Sequence, residues 1–117
     1  MYNYSIIIPF RDKFDLLHIA VNSIPDREDM QIILIYNGNN TFPMKEKPKC
    51  SNATITYLES SAIKGAGHAR NVGLKEVKGR YILFLDADDY FTPGAFDYFD
   101  KYIQRRCIIM SQSYEKL

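Results

Sequence analysis

The sequence predicts an α/β domain, a three-layer sandwich around a mostly parallel open sheet. Three observations carry this expectation. The apolar runs are short, β-branched and unbroken, as in strands buried on both faces. They alternate with segments of helical spacing in the order β-α-β-loop-β-α-β-α. The last strand also runs straight into carboxylates, Asp86-Ala87-Asp88-Asp89. Polar residues gathered at strand ends are the ligand-binding pattern of open α/β sheets.

Each element has its own signal. Ser5-Ile6-Ile7-Ile8 forms the first strand, and Pro9 is expected to end it. Asp12 is placed to cap a helix from Lys13, in which Phe14, Leu17, Val21 and Ile24 recur at helical spacing before Pro25 stops it. Gln31-Ile32-Ile33-Leu34-Ile35-Tyr36 is a second buried strand, closed by the turn residues Asn37-Gly38-Asn39-Asn40. Residues 41–52 carry two prolines and several lysines and read as a surface loop. Residues 53–58 alternate and give a third strand. Residues 65–77 give a helix with glycines at its start, ended by Lys78-Gly79. Residues 81–85 are the fourth strand. Thr92 is expected to cap a last helix with Pro93 at its first position, and Phe96, Phe99 and Ile103 form its apolar face. Ile108-Ile109-Met110 is expected to start one more strand.

The 117 residues suit one domain, residues 1–117, with one core. A net charge of +1 gives no broad pull toward nucleic acid or an acidic membrane. The lysines at 45, 47 and 49 are interrupted by Glu46 and prolines, as in a solvated loop. Cys50 and Cys107 fit no metal-ligand spacing and read as reduced thiols. The chain opens Met1-Tyr2-Asn3-Tyr4 without a leader pattern, and its apolar runs are too short to span a bilayer. A cytoplasmic protein is expected, with peripheral association at the inner membrane face left open.

The acidic cluster carries the most chemistry. Carboxylates this close repel and raise one another's pKa unless something compensates. Mg²⁺ or Mn²⁺ does so, and both are commonly held by one or two carboxylates plus substrate phosphates. A solvated acidic turn is the plainer reading; the strand-end position favours the metal–diphosphate site. Gly65-Ala66-Gly67-His68-Ala69-Arg70-Asn71-Val72-Gly73 opens a helix, where glycines let backbone approach an anion. It is not a dinucleotide fingerprint, because Arg70 stands where the last glycine is needed. Gly73 fits close helix–sheet packing. Arg70 should be half buried and needs a carboxylate or phosphate partner, as a salt bridge, a ligand contact or both. His68 reads best as a surface residue and His18 as structural. No Ser/His/Asp or Cys/His nucleophile arrangement is present.

Four blocks in order resemble the family 2 glycosyltransferases of the GT-A fold: residues 5–12 (SIIIPFRD), 31–39 (QIILIYNGN), 65–74 (GAGHARNVGL) and 79–89 (GRYILFLDADD). The resemblance covers nearly the whole chain. It implies a nucleotide-diphosphate sugar donor, a glycan or other hydroxyl acceptor, a divalent cation (Mn²⁺ or Mg²⁺) bound through the D-x-D motif, and work in polysaccharide biosynthesis. Asp88 would be the direct metal ligand, and Asp86 would contact the ribose or the metal shell. Pro9, Phe10 and Arg11 would line the base pocket, with Arg70 bracing it. Asn37, Gly67 and Ala87 would complete the nucleotide-sugar site.

Two departures from the family pattern bear on this. Acidic residues usually follow the second strand, one of them reading the base or ribose; here Tyr36 and Asn37 stand there. Asn37 can still hydrogen-bond a base edge, whereas Tyr36 cannot imitate a carboxylate. The chain also stops soon after the D-x-D helix, so the acceptor half and its catalytic base are expected to be absent. No catalytic residue is assigned, and a chain lacking that half is expected to self-associate. The alternatives are a non-catalytic or degenerate nucleotide-binding fragment, and a phosphotransferase of the haloacid-dehalogenase type. The latter sets its D-x-D on the first strand rather than the fourth.

Overall fold

The computed structural model describes residues 1–39, 47–61 and 64–103. Its elements are β1 (Tyr4–Phe10), α1 (Phe14–Asn22), β2 (Met30–Tyr36), β3 (Thr54–Glu59), α2 (Gly65–Leu74), β4 (Tyr81–Phe84) and α3 (Ala95–Ile103). The expected fifth strand at 108–110 lies outside the described residues.

The four strands pair in the order β3-β2-β1-β4, all parallel. The chain steps outward from β1 through β2 to β3, then returns to place β4 on the other side of β1. The direction of winding therefore reverses between β1 and β4. That is a topological switch point, where the connections leave a crevice at the carboxyl ends of the strands.

Side-chain alternation divides the core into two layers. Ile6, Ile8 and Phe10 of β1 join Leu17, Ala20 and Val21 of α1 and Phe96 and Phe99 of α3. Ile7 instead joins Ile33 and Ile35 of β2 and Ala69 of α2. Residues 6–8 and 32–35 are fully buried, which explains their unbroken apolar runs. Gly73 brings α2 down onto the sheet: a Cβ there would lie 2.9 Å from Ile35 Cδ1 and 3.1 Å from Ile7 Cγ2.

Three local expectations are corrected. Pro9 does not end the first strand; it lies inside β1, opposite Ile35. The Ile7 carbonyl accepts the Leu85 N–H, and the Phe10 carbonyl accepts the Asn37 N–H. By alternation the Pro9 nitrogen faces the β4 side, where the ladder has already stopped at Phe84. No donor is needed there, so proline is tolerated. Asp12 does not cap α1. The helix starts from Lys13 in the left-handed region (φ 57°), with no side-chain cap, and the Lys13 carbonyl accepts the N–H groups of Leu16 and Leu17. A non-glycine residue in that conformation costs roughly 1–2 kcal/mol. Pro93 is not the first residue of α3. Gly94 has φ 88°, so Pro93-Gly94 make a turn closed by Ala95 N–H to the Thr92 carbonyl, and the helix begins at Ala95.

Polar side chains bind the amino-terminal edge of the sheet. Buried Gln31 accepts from the Ser5 hydroxyl and the Lys78 N–H (2.9 Å) and donates to the Glu76 carbonyl (2.9 Å). The Ser5 hydroxyl oxygen accepts the Gly79 N–H (2.8 Å). These bonds fix the α2–β4 connection. Nearby, Arg27 bridges Asp29 (2.9 Å) and Asp100 (2.9 Å), and the buried Tyr4 hydroxyl donates to Asp100 (2.7 Å). That set ties α3 to β1.

Two expected outcomes test this packing. Gly73→Ala should destabilise by about 1–3 kcal/mol in urea unfolding, since its methyl meets the sheet. Gly67→Ala, with nothing within 4 Å of the new methyl, should instead be neutral or stabilise by up to about 1 kcal/mol. Acid should also weaken the fold. Burial alone would raise the Asp100 carboxyl, but hydrogen bonds from Arg27 and Tyr4 outweigh it and hold it below its ordinary value. Asp26 is held low by the backbone N–H groups of Ala53, Asn52 and Ser51. A depressed carboxyl contributes stability that is full above the unfolded value, about 3.9, and is lost as pH falls through the folded value. Melting temperature should stay level at neutral pH and fall below about pH 4, less steeply in Asp100→Asn.

Candidate functional site

A cavity of about 280 Å³ opens at the carboxyl edge of the sheet, at the switch point. Its walls come from four directions. The end of β1 supplies Pro9 and Phe10, followed by Arg11 and Asp12; Lys13 and Leu16 come from the start of α1. Asn37 stands just after β2. Ala66 and Arg70, one turn apart, face it from α2. Asp86, Ala87 and Asp88 leave the end of β4.

The structure thus brings together Pro9, Phe10, Arg11, Asn37, Arg70, Asp86, Ala87 and Asp88. Gly67 is not part of the wall. Helical spacing puts its neighbour Ala66 on the face shared with Arg70, and Gly67 lies exposed beside it. His68 and His18 do not line the cavity either. Lys13, Leu16 and Ala66 were not foreseen; the three-residue spacing of Lys13 and Leu16 on one helix face was the available signal. Tyr36 is absent from the wall for a physical reason. It is 5% exposed and packs into the α1-side core, its ring 5.5 Å from that of Phe10. Its hydroxyl end folds over position 38, where any Cβ would collide with it, so only glycine fits.

The site is strongly charged and mixed in sign. Asp86, Asp88 and Asp89 each offer a carboxylate oxygen, and these atoms lie within 4.8 Å of one another. The turn that gathers them is closed by the Asp89 N–H bonding to the Asp86 carbonyl (2.9 Å). Arg70 Nη2 lies 3.3 Å from Asp86 Oδ1, and both groups remain more than a third exposed. Arg11 and Lys13 add positive charge on the opposite wall. Oxygen-only donors at this separation fit a hard divalent cation that could draw them together, and do not fit a soft metal. Among the described residues it is the single such acidic cluster.

Asn37 differs from these groups. It is neutral and 4% exposed, and its Oδ1 is buried with no hydrogen-bond partner. Its main-chain N–H is fixed by the Phe10 carbonyl (2.6 Å). The register that sets Tyr36 beside Glu59 places Ser60 beside Asn37, and the Ser60 hydroxyl oxygen is also buried without a partner.

The sequence profile of the family described as "Glycosyl transferase family 2" matches residues 5–115. The chain belongs to this family. Among its curated family 2 relatives is the minor teichoic acid biosynthesis protein GgaB of Bacillus subtilis, 33% identical over 105 residues. That match covers 82% of this chain and 11% of GgaB. The Escherichia coli UDP-Glc:alpha-D-GlcNAc-diphosphoundecaprenol beta-1,3-glucosyltransferase WfaP is 34% identical over 90 residues, covering 75% of this chain and 36% of WfaP. Among solved structures, Staphylococcus aureus TarS (residues 1–349) superimposes with a TM-score of 0.66 at 23% identity, covering 89% of this chain and 32% of that one. The fold is therefore the one expected from the sequence, and this family 2 chain spans about a tenth to a third of the lengths of these relatives. No helix among the described residues is long and apolar enough to cross a membrane.

Because the Arg70–Asp86 pair is solvated, Arg70→Ala should change stability by less than about 1 kcal/mol in chemical denaturation. A larger loss would show that Arg70 props the fold rather than the cavity.

Proposed function

We propose that this chain binds the nucleotide-diphosphate sugar donor of a glycosyl transfer, with Asp88 and Asp86 as ligands to Mn²⁺ or Mg²⁺. The observation that carries this is the convergence of the D-x-D carboxylates with Arg11 and Arg70 on one cavity at the switch point. A ligand with phosphates and a divalent cation matches both signs of charge at once. Family membership supports the reading, as does the UDP-Glc donor named for WfaP.

In this assignment each group has a task. Asp88, exposed at the rim, and Asp86, behind it, hold the cation. Arg70 keeps Asp86 oriented and adds positive charge near the phosphates. Pro9 and Arg11 form the opposite wall. The bound cation would stabilise the charge that develops on the departing diphosphate. Transfer also needs an acceptor hydroxyl and a general base. In this reading both come from outside the described residues, so the chain is the donor-binding part of the reaction, and its acceptor is a glycan or another hydroxyl compound at the cytoplasmic membrane face.

The test is calorimetric titration of UDP, with and without Mn²⁺, into the wild-type chain and Asp88→Asn. Metal-dependent binding is expected, weakened at least about tenfold (1.4 kcal/mol) in the variant. Absence of binding to folded wild type, or binding indifferent to both Mn²⁺ and Asp88, would overturn the assignment.

A further inference from the structure

We propose that Asn37 reads the nucleobase, and that its amide lets the site accept cytidine as well as uridine diphosphates. The inference rests on the nucleotide-donor reading above and deepens it.

The cavity is divided by charge. Arg11, Lys13, Arg70, Asp86 and Asp88 come from β1, α1, α2 and β4, whereas the β2 side presents only neutral Asn37. A ligand that fills the cavity therefore carries charge at one end and uncharged hydrogen-bonding groups at the other. A nucleoside diphosphate has that polarity, its base being the neutral end.

Asn37 is built to be met. Its backbone is fixed by the bond to Phe10, and alternation along β2 puts it on the α2 side with Ile33 and Ile35. Its side-chain oxygen is enclosed and has no donor within the protein. Leaving an amide oxygen so costs about 1–3 kcal/mol, recovered when a ligand supplies an N–H. Ser60, its neighbour in register, leaves a second buried oxygen unmatched beside it.

The amide's chemistry sets the selectivity. It carries an acceptor and a donor side by side, and can turn over to exchange them. Uracil offers N3–H beside a carbonyl; cytosine offers an N4 amine beside the N3 lone pair. Each edge complements the amide in one of its two orientations. A carboxylate at this position would only accept, favouring uracil's N3–H and repelling cytosine's lone pair. The modest cavity volume, at the small end of the usual range for ligand pockets of about 300–1,000 Å³, favours one ring over two.

The experiment titrates UDP, CDP, ADP, GDP and 3-methyluridine diphosphate into the chain with Mn²⁺, and repeats UDP and CDP with Asn37→Asp. The expected result is UDP and CDP affinities within about tenfold of each other, purines weaker, and a shift of at least about tenfold toward UDP in the variant. Blocking N3–H in 3-methyluridine diphosphate should weaken binding to wild type by about tenfold or more, a readout that needs no variant if Asn37→Asp proves unstable in a melting curve. UDP binding with CDP more than about tenfold weaker, an unchanged ratio in a folded Asn37→Asp, equal binding of the methylated base, or tighter binding of a purine would each overturn the inference while leaving the donor site standing. Failure to bind any nucleoside diphosphate would overturn the donor reading, and this inference with it.

Discussion

β1 is hydrogen-bonded along both edges and covered on both faces, and every wall of the cavity takes its position from it. Its pairing with β2 sets where Asn37 emerges, through the bond from that residue to Phe10. Its pairing with β4 sets where the aspartates begin, through Leu85 bonding to Ile7. Its Ile7 side chain supports α2, and hence Arg70. Four segments distant in sequence meet at one cavity because one strand contacts all of them. A strand with that duty has no face to spare for polar residues, which accounts for the run of three isoleucines.

The two ends of the sheet divide stability from function. At the amino-terminal edge, buried Ser5 and Gln31 are fully engaged with the α2–β4 connection, and Arg27 holds two carboxylates. At the carboxyl edge the opposite holds: carboxylates crowd together and two buried oxygens go unmatched. Groups that cost free energy in the empty protein mark the end that meets a ligand. The paired groups at the other end are of the kind that offset such a cost.

Strand identity was legible because parallel, fully covered strands have a simple signature, which residues 6–8 and 31–36 carry without interruption. The acidic cluster was legible because charge directly after such a strand has only one place to go. Helix starts were less so. The left-handed turn at Lys13 depends on the path the chain takes out of β1, and Asp12 looked like a cap only because local chemistry was all that could be read. Pro9 misled for a related reason: whether a proline breaks a strand depends on what lies opposite its nitrogen, and β4 is more than seventy residues away. Gly67 against Ala66 was a matter of helical phase. The unpaired state of Asn37 and Ser60 could not be read at all, since it is a property of everything around them.

Gly73 shows how far a core contact reaches into the site. With no side chain at this position, α2 rests directly on Ile7 and Ile35. Arg70 lies on the same helix, a turn nearer the cavity. A missing methyl group thus works as a gauge block: it sets the height of α2 above the sheet, and with it the width of the mouth between Arg70 and the strand ends. The tolerance of the cavity is machined in the core, by a residue that no ligand would touch.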